Sequence, residues 1–186
     1  MLQPKNKTIT IGDDVFEIYI SDEQLQKRIK EVAEIICNDY KDTVPVFICT
    51  LNGAFMFMSD LMKNITIECE VDFLKLSSYG DAKLSSGNVK LLKNIDCKIE
   101  GRDVIVVEDI VDTGLSWKYM KDLLLGLKPK SLKIVSLLVK REAIKYVVNI
   151  DYYCFDIPNK FVIGYGLDLA QKYRNLPEIY QLKSGS

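Results

Sequence analysis

Val104-Ile-Val-Val-Glu-Asp-Ile-Val-Asp-Thr-Gly-Leu-Ser116 is the stretch whose reading decides the fold. Its first half is an unbroken apolar run with β-branched residues. Such a run reads as a strand buried on both faces, as in a parallel sheet. Its second half reads as a loop carrying the carboxylates Glu108, Asp109 and Asp112, then Thr113, Gly114 and Ser116. In open α/β sheets, ligands bind just beyond the carboxyl ends of the strands. Carboxylates this close repel one another unless a cation or hydrogen-bond donors share the site. A small-residue turn with hydroxyls, followed by a helix, is how a chain presents backbone N–H groups to a phosphate.

Working outward, strands are expected at 8–11 and 15–20, around the Gly12-Asp13 turn signal. Ser21-Asp-Glu-Gln24 matches a capping box, and the helix it starts carries Leu25, Ile29, Val32, Ala33 and Ile36 on one face. Further strands are expected at 44–50, 70–77, 89–92, 104–108, 132–139, 152–155, 161–165 and 179–182. Helices are expected at 55–63 and 116–125, the second closed by Gly126 and Pro129. Residues 78–88, rich in Gly, Ser and Lys, read as a surface loop. Strands alternating with helices through the middle argue a mostly parallel, twisted α/β sheet with right-handed crossovers. One domain is expected over 1–186, with a core over about 22–150 and a small hood from about 1–20 and 151–186.

The composition is that of an ordinary soluble globule: 186 residues, 48% hydrophobic and 27% charged. The net charge of −1 gives no global basic excess, which argues against nucleic acid as a partner. No apolar run approaches membrane-spanning length, and no apolar signal core follows Met1 to Lys7. The five cysteines are scattered, with no C-x-x-C pair, and read as reduced thiols in a cytoplasmic protein. The chain has no histidine, which excludes Ser-His-Asp, Cys-His and His-ligated metal mechanisms within it. Acid–base work must fall to Asp, Glu, Lys or Tyr, and any metal would need oxygen ligands, so magnesium, manganese or calcium comes before zinc.

Four loops after buried strands carry unusual residues: Leu51-Asn52-Gly53, Ser78-Tyr79-Gly80, the acidic loop 108–116, and Lys140-Arg141. A parallel sheet places successive strand ends on one edge, so the acidic loop would gain the positive charge of Lys140 and Arg141. Asp and Gly are common in any βα loop, and a Lys-Arg pair is usually solvated. A purely structural loop, however, gains nothing from this concentration of carboxylates. Ile-Val-Asp-Thr-Gly also matches the Asp-Thr-Gly of aspartic proteases, but there it belongs to an all-β fold, and here it leads into a helix. The carboxylate spacing does not suit an EF-hand, and no G-x-x-x-x-G-K-[ST] is present. Gly164-Tyr-Gly166 lacks the third glycine of a dinucleotide fingerprint, because Leu169 stands there.

Val104 to Gly114 resembles the phosphoribosyl-pyrophosphate motif of type I phosphoribosyltransferases. Leu51-Asn-Gly-Ala-Phe55, Asp72-Phe-Leu-Lys-Leu-Ser-Ser-Tyr79, Ser136-Leu-Leu-Val-Lys-Arg141, Lys160-Phe-Val-Ile-Gly-Tyr-Gly-Leu-Asp168 and Tyr173-Arg174 are similar to the hypoxanthine-guanine branch. The resemblance runs from about residue 20 to residue 182, in the family's order. It implies a purine-salvage transferase that moves the 5-phosphoribosyl group of phosphoribosyl pyrophosphate to a 6-oxopurine, releasing pyrophosphate, with Mg2+ as cofactor. It implies Glu108 and Asp109 on the ribose hydroxyls, and Asp112 near purine N7 as general acid/base. Ile110, Val111, Asp112, Thr113, Gly114, Leu115 and Ser116 would line the phosphoribosyl-pyrophosphate site, with the backbone N–H groups of 112–116 and the Thr113 and Ser116 hydroxyls holding the ribose 5′-phosphate. Leu51, Asn52, Gly53 and Arg174 would contact pyrophosphate, through a peptide often cis in this family. Lys140, Phe161, Val162 and Asp168 would bind the purine, and Ser78-Tyr79 would form a lid. Glu108, Asp109 and Asp168 would be the metal ligands, and a homodimer or homotetramer is implied. Asn52 and Leu115 stand where some members carry Lys, and Ser116 where Thr is common. The rival reading is a regulatory protein on the same fold that senses nucleotide and binds nucleic acid. Regulators often lose the acid/base or the lid, whereas Asp112, Ser78, Tyr79, Lys140 and Asp168 are all in place.

Overall fold

The computed structural model describes residues 8–78 and 89–183. Two sheets organise them. The larger is built from β3 (Val46–Leu51), β4 (Glu70–Ser78), β5 (Val89–Lys93), β6 (Asp103–Val111), β7 (Ser131–Val139) and β8 (Tyr152–Asp156), in the order β5-β4-β3-β6-β7-β8. All neighbours run parallel except β5, which returns antiparallel along β4. The smaller sheet is antiparallel: β1 (Thr8–Ile11), β2 (Asp14–Ile20), β10 (Ile179–Leu182) and β9 (Val162–Ile163).

Helix α1 (Asp22–Asp39) begins where its local chemistry dictates. The Ser21 hydroxyl accepts from the Gln24 N–H, and the Gln24 side chain accepts from the Ser21 N–H. The expected face, Leu25, Ile29, Val32, Ala33 and Ile36, is the buried one. With α2 (Phe55–Asn64) it covers one side of the larger sheet, packing on Phe47, Cys49, Ile105 and Val107. Helix α3 (Leu115–Leu125) covers the other through Trp117, Met120 and Leu124, against Val104, Val106 and Ile134. Ile105 and Val107 of β6 feed one layer and Val104 and Val106 the other, as expected inside a parallel sheet; past Glu108-Asp109 the alternation reverses, with Ile110 on the α1–α2 side and Val111 on the α3 side.

The structure corrects the central segment. The strand expected at 104–108 runs from Asp103 to Val111, so Glu108 and Asp109 are strand residues and not loop residues. Pairing with β7 continues to Val111 opposite Val139. That neighbouring backbone supplies hydrogen bonds which outweigh the poor strand preference of the acidic pair. The stretch after Asp168 contains no helix; it folds through turns and an isolated bridge between Leu169 and Lys172. Among the described residues, no helix is long and apolar enough to cross a membrane.

Candidate active site

The carboxyl ends of β3 and β6 meet the loop that follows β9, and the end of β7 meets that of β6. Leu51-Asn52 is a cis peptide. The next residue, Gly53, rests on the Asp109 carboxylate so closely that a Cβ there would fall 1.5 Å from Oδ2. Gly166, with φ +98°, lies in turn on Gly53, where a Cβ would fall 2.0 Å from the Gly53 carbonyl oxygen. Arg174 Nη1 donates to the Gly166 carbonyl at 2.8 Å, and Nη2 lies 2.6 Å from Asp168 Oδ1. The fold therefore brings together Leu51, Asn52, Gly53, Asp109, Asp168 and Arg174, which are far apart in sequence. Gly53, Glu108, Asp109 and Ser116 also share the lining of a cavity of about 140 Å3.

Glu108 is buried at the end of β6. Thr50 Oγ1 lies 2.5 Å from Glu108 Oε2 and 2.9 Å from the Val107 carbonyl. A hydroxyl carries one proton, so Thr50 donates to only one of these two acceptors at a time, Glu108 or the Val107 carbonyl. Burial raises the pKa of Glu108, and the neighbouring Asp109 charge adds to the rise, while the Thr50 hydroxyl opposes it. Burial likewise raises Asp109, opposed by the Ile110 N–H, which donates to its Oδ1 at 2.8 Å, and by the charge of Arg174. Thr50 was not anticipated. Its signal was a hydroxyl at the end of an otherwise apolar strand.

Residues 108–117 enclose a cavity of about 240 Å3. Gly114 caps α3 with φ +83° and offers no side chain as a cap; the Thr113 hydroxyl accepts from the Leu115 N–H at 3.4 Å, and the first turn contains no acidic residue. Helix α1 differs: Ser21 caps it, and Asp22 and Glu23 fill its first turn. Beyond Leu115, the α3 N-terminus thus keeps N–H groups without a side-chain cap, and its positive dipole potential lies at the cavity, the condition for holding an anion. The loop is braced from behind, because Lys145 N and Tyr146 N both donate to the Thr113 carbonyl. A Cβ on Gly114 would meet Val148 Cγ2 at 2.6 Å, so only glycine fits between this brace and the helix. The sequence reading missed the brace, since it depends on a contact across about 30 residues.

Lys140 and Arg141 part company. Lys140 is buried with its Nζ 3.3 Å from Asp112 Oδ2. Arg141 turns away, bonding Asp156 and lying 5.0 Å from the Tyr153 ring centroid, so it adds no charge to the acidic end of β6 as had been expected. Phe161 and Val162 behave oppositely as well. The Val162 side chain is buried, whereas Phe161 is 49% exposed, tilted at 59° against Phe16 with ring centroids 6.4 Å apart. The expected lid falls outside the described residues, save for the backbone of Ser78 at the end of β4. No group of three or more Cys, Asp or Glu among the described residues stands close enough to hold a metal unaided.

A model of the phosphoribosyl transferase domain matches residues 19–170. The hypoxanthine-guanine phosphoribosyltransferase of Bacillus subtilis is 45% identical over 170 residues, 91% of this chain and 94% of that relative. A crystal structure of a hypoxanthine-guanine phosphoribosyltransferase from Bacillus anthracis superposes with a TM-score of 0.85 at 45% identity, covering 90% of this chain and 98% of that one. One of a hypoxanthine phosphoribosyltransferase from Staphylococcus aureus gives 0.86 at 40% identity, covering 90% and 91%.

Proposed function

The chain belongs to the phosphoribosyl transferase family, and we propose that it is a purine-salvage enzyme, a hypoxanthine-guanine phosphoribosyltransferase. It converts a 6-oxopurine and phosphoribosyl pyrophosphate into the nucleoside monophosphate and pyrophosphate. One observation carries the reading at the level of the site: the glycine-capped N-terminus of α3, with no acidic residue in its first turn, lines the 108–117 cavity beside the Asp112–Lys140 pair. Relatives of 44–45% identity that bear this enzyme's name align with nearly the whole chain, so the regulatory alternative is not favoured.

In the mechanism we assign, the N–H groups at the start of α3, with the Thr113 and Ser116 hydroxyls, hold the ribose 5′-phosphate. Glu108 and Asp109 address the ribose hydroxyls. Phe161 stacks on the purine, the Val162 backbone reads its edge, and Lys140 donates to O6. As N9 bonds to C1′, the C1′–O bond to pyrophosphate breaks and its electron pair leaves with pyrophosphate. The N7 proton passes to the Asp112 carboxylate, which Lys140 orients. Leu51, Asn52, Gly53 and Arg174 receive the pyrophosphate. The antiparallel sheet of β1, β2, β9 and β10 acts as a hood over the base.

Magnesium suits the oxygen-only donors Glu108, Asp109 and Asp168. It is commonly bound by one or two carboxylates plus substrate phosphate oxygens, so substrate would complete its shell here. When bound it neutralises charge on the leaving group. A homodimer or homotetramer is proposed; Val71 and Phe73 on β4 and Leu92 on β5 leave apolar side chains uncovered on the outer strands. A cytoplasmic location suits the five free thiols. The test is a magnesium-dependent steady-state assay with hypoxanthine, guanine, xanthine and adenine. Turnover of hypoxanthine or guanine but not adenine is expected; no turnover with any base overturns the assignment.

A further inference from the structure

The Asp72 to Tyr79 segment contains a lysine to which the site described so far gives no role. Strand β4 runs parallel to β3 with Lys75 opposite Leu51, so the lysine leaves the sheet beside the Leu51–Gly53 turn. With Asn52 and Arg174 it lines a cavity of about 300 Å3. We propose that Lys75 is a further pyrophosphate-binding residue, supplying the positive charge that Asn52 does not. The proposal rests on the phosphoribosyltransferase reading and adds a residue to it.

The charges in this cavity decide the point. Arg174 is largely committed to the protein: Nη1 donates to the Gly166 carbonyl, and Nη2 donates to Gln171 Oε1 at 3.0 Å and pairs with Asp168. Its charge is offset by that carboxylate, and two of its three nitrogens are already engaged. Asn52 is neutral. Lys75 forms no ion pair with any described residue, so among the cavity's described lining it carries the uncompensated charge. Pyrophosphate remains anionic even with a divalent cation bound. An ammonium is a compact point charge with rotatable donors, suited to an anion that must be held and then released. The parallel ladder fixes where the lysine stem leaves the backbone, so little is left to loop geometry.

The test compares the wild type with Lys75→Gln and Lys75→Arg. The KM for pyrophosphate in the reverse reaction and the KM for phosphoribosyl pyrophosphate in the forward reaction should rise about tenfold or more in Lys75→Gln, the usual scale for losing a hydrogen bond to a charged group. Lys75→Arg should recover most of this. The Kd for the nucleoside monophosphate, which lacks the pyrophosphate, should stay within about twofold of wild type, and it also reports that the variant is folded. An unchanged KM for pyrophosphate, or nucleoside monophosphate binding weakened to the same degree, overturns the assignment of Lys75. A wild type that turns over no 6-oxopurine overturns the enzymatic reading instead.

Discussion

Gly53 and Asp109 touch in the literal sense: the backbone of one occupies the space beside the carboxylate of the other, with no room for a single additional carbon. Gly166 closes on the Gly53 carbonyl in the same way. Three chain segments therefore meet through two glycines, with no side chain acting as spacer. The Leu51–Gly53 turn, the Asp109 carboxylate and the Asp168–Arg174 pair are held in one rigid relation. In the proposed reaction those groups must address one substrate at once.

Gly53→Ala should thus damage the site more than the fold. The added methyl must displace Asp109 or the turn, and displacements near 1 Å lower catalysis by about 100-fold. Overpacking of this kind destabilises by about 1–3 kcal/mol. Steady-state kinetics beside thermal unfolding separate the two. An Ala variant with kcat/KM within threefold of wild type would refute the close packing.

The buried pair Glu108 and Asp109 makes stability depend on pH. Burial raises both pKa values, so the folded chain keeps a proton that the unfolded chain releases above the ordinary glutamate value of 4.5. The unfolded state then binds fewer protons, and stability falls as pH rises from about 4.5 through the raised folded value. Glu108→Gln mimics the protonated side chain and should remove the Glu108 share of this slope, leaving that of Asp109. Variant and wild type should unfold at similar temperatures near pH 5. The variant should then gain, by up to about 1.4 kcal/mol for each pH unit crossed. A Tm difference that stays flat with pH would show that no such proton is held.

Asp112→Asn should lower kcat by about 100-fold to 10,000-fold, the range for losing a positioned proton acceptor. Phosphoribosyl pyrophosphate should bind within about threefold of wild type, because the α3 N–H groups that hold its 5′-phosphate remain. Unchanged turnover of hypoxanthine would remove Asp112 from the proton transfer.

What the sequence made legible was local. The cap and buried face of α1 follow from a four-residue signal and a helical period, and both match the structure. The end of β6 did not follow from local rules, because the pairing that extends it to Val111 comes from β7. Nor could the sequence show that Lys140 turns to Asp112 and Arg141 to Asp156, since that depends on which way each projects past the end of β7. The contact of Gly166 with Gly53 spans more than 100 residues and leaves no mark beyond the two glycines themselves.

Asp72 should prove a stability residue. Its carboxylate is buried, and the burial that would raise its pKa is outweighed by backbone N–H groups of Cys97, Phe73 and Asp96, which hold it down at about 2. Asp72→Ala strands those donors and should cost about 2–3 kcal/mol near neutral pH. The contribution of a depressed carboxylate is present above its unfolded value near 4 and fades as pH falls toward 2, so the deficit should shrink in acid. A deficit equal near pH 7 and near pH 3 would argue against the ionised clamp.

Phe161 offers the cleanest separation of binding from folding. At 49% exposure, this phenylalanine is poorly placed to contribute to the core; its ring touches Phe16 at a centroid distance of 6.4 Å, and Phe16 also packs in the cluster with Ile163 and Tyr180. Phe161→Leu keeps apolar bulk but removes the flat face. Stability should change by less than about 1 kcal/mol, as at most exposed positions. The KM for hypoxanthine should rise about three- to tenfold, the scale of aromatic stacking beyond simple burial. The KM for phosphoribosyl pyrophosphate should stay nearly constant, because the phosphate and pyrophosphate contacts lie on other strands. A Tm loss without any change in KM for the base would make Phe161 a packing residue and leave the purine without its stacking partner.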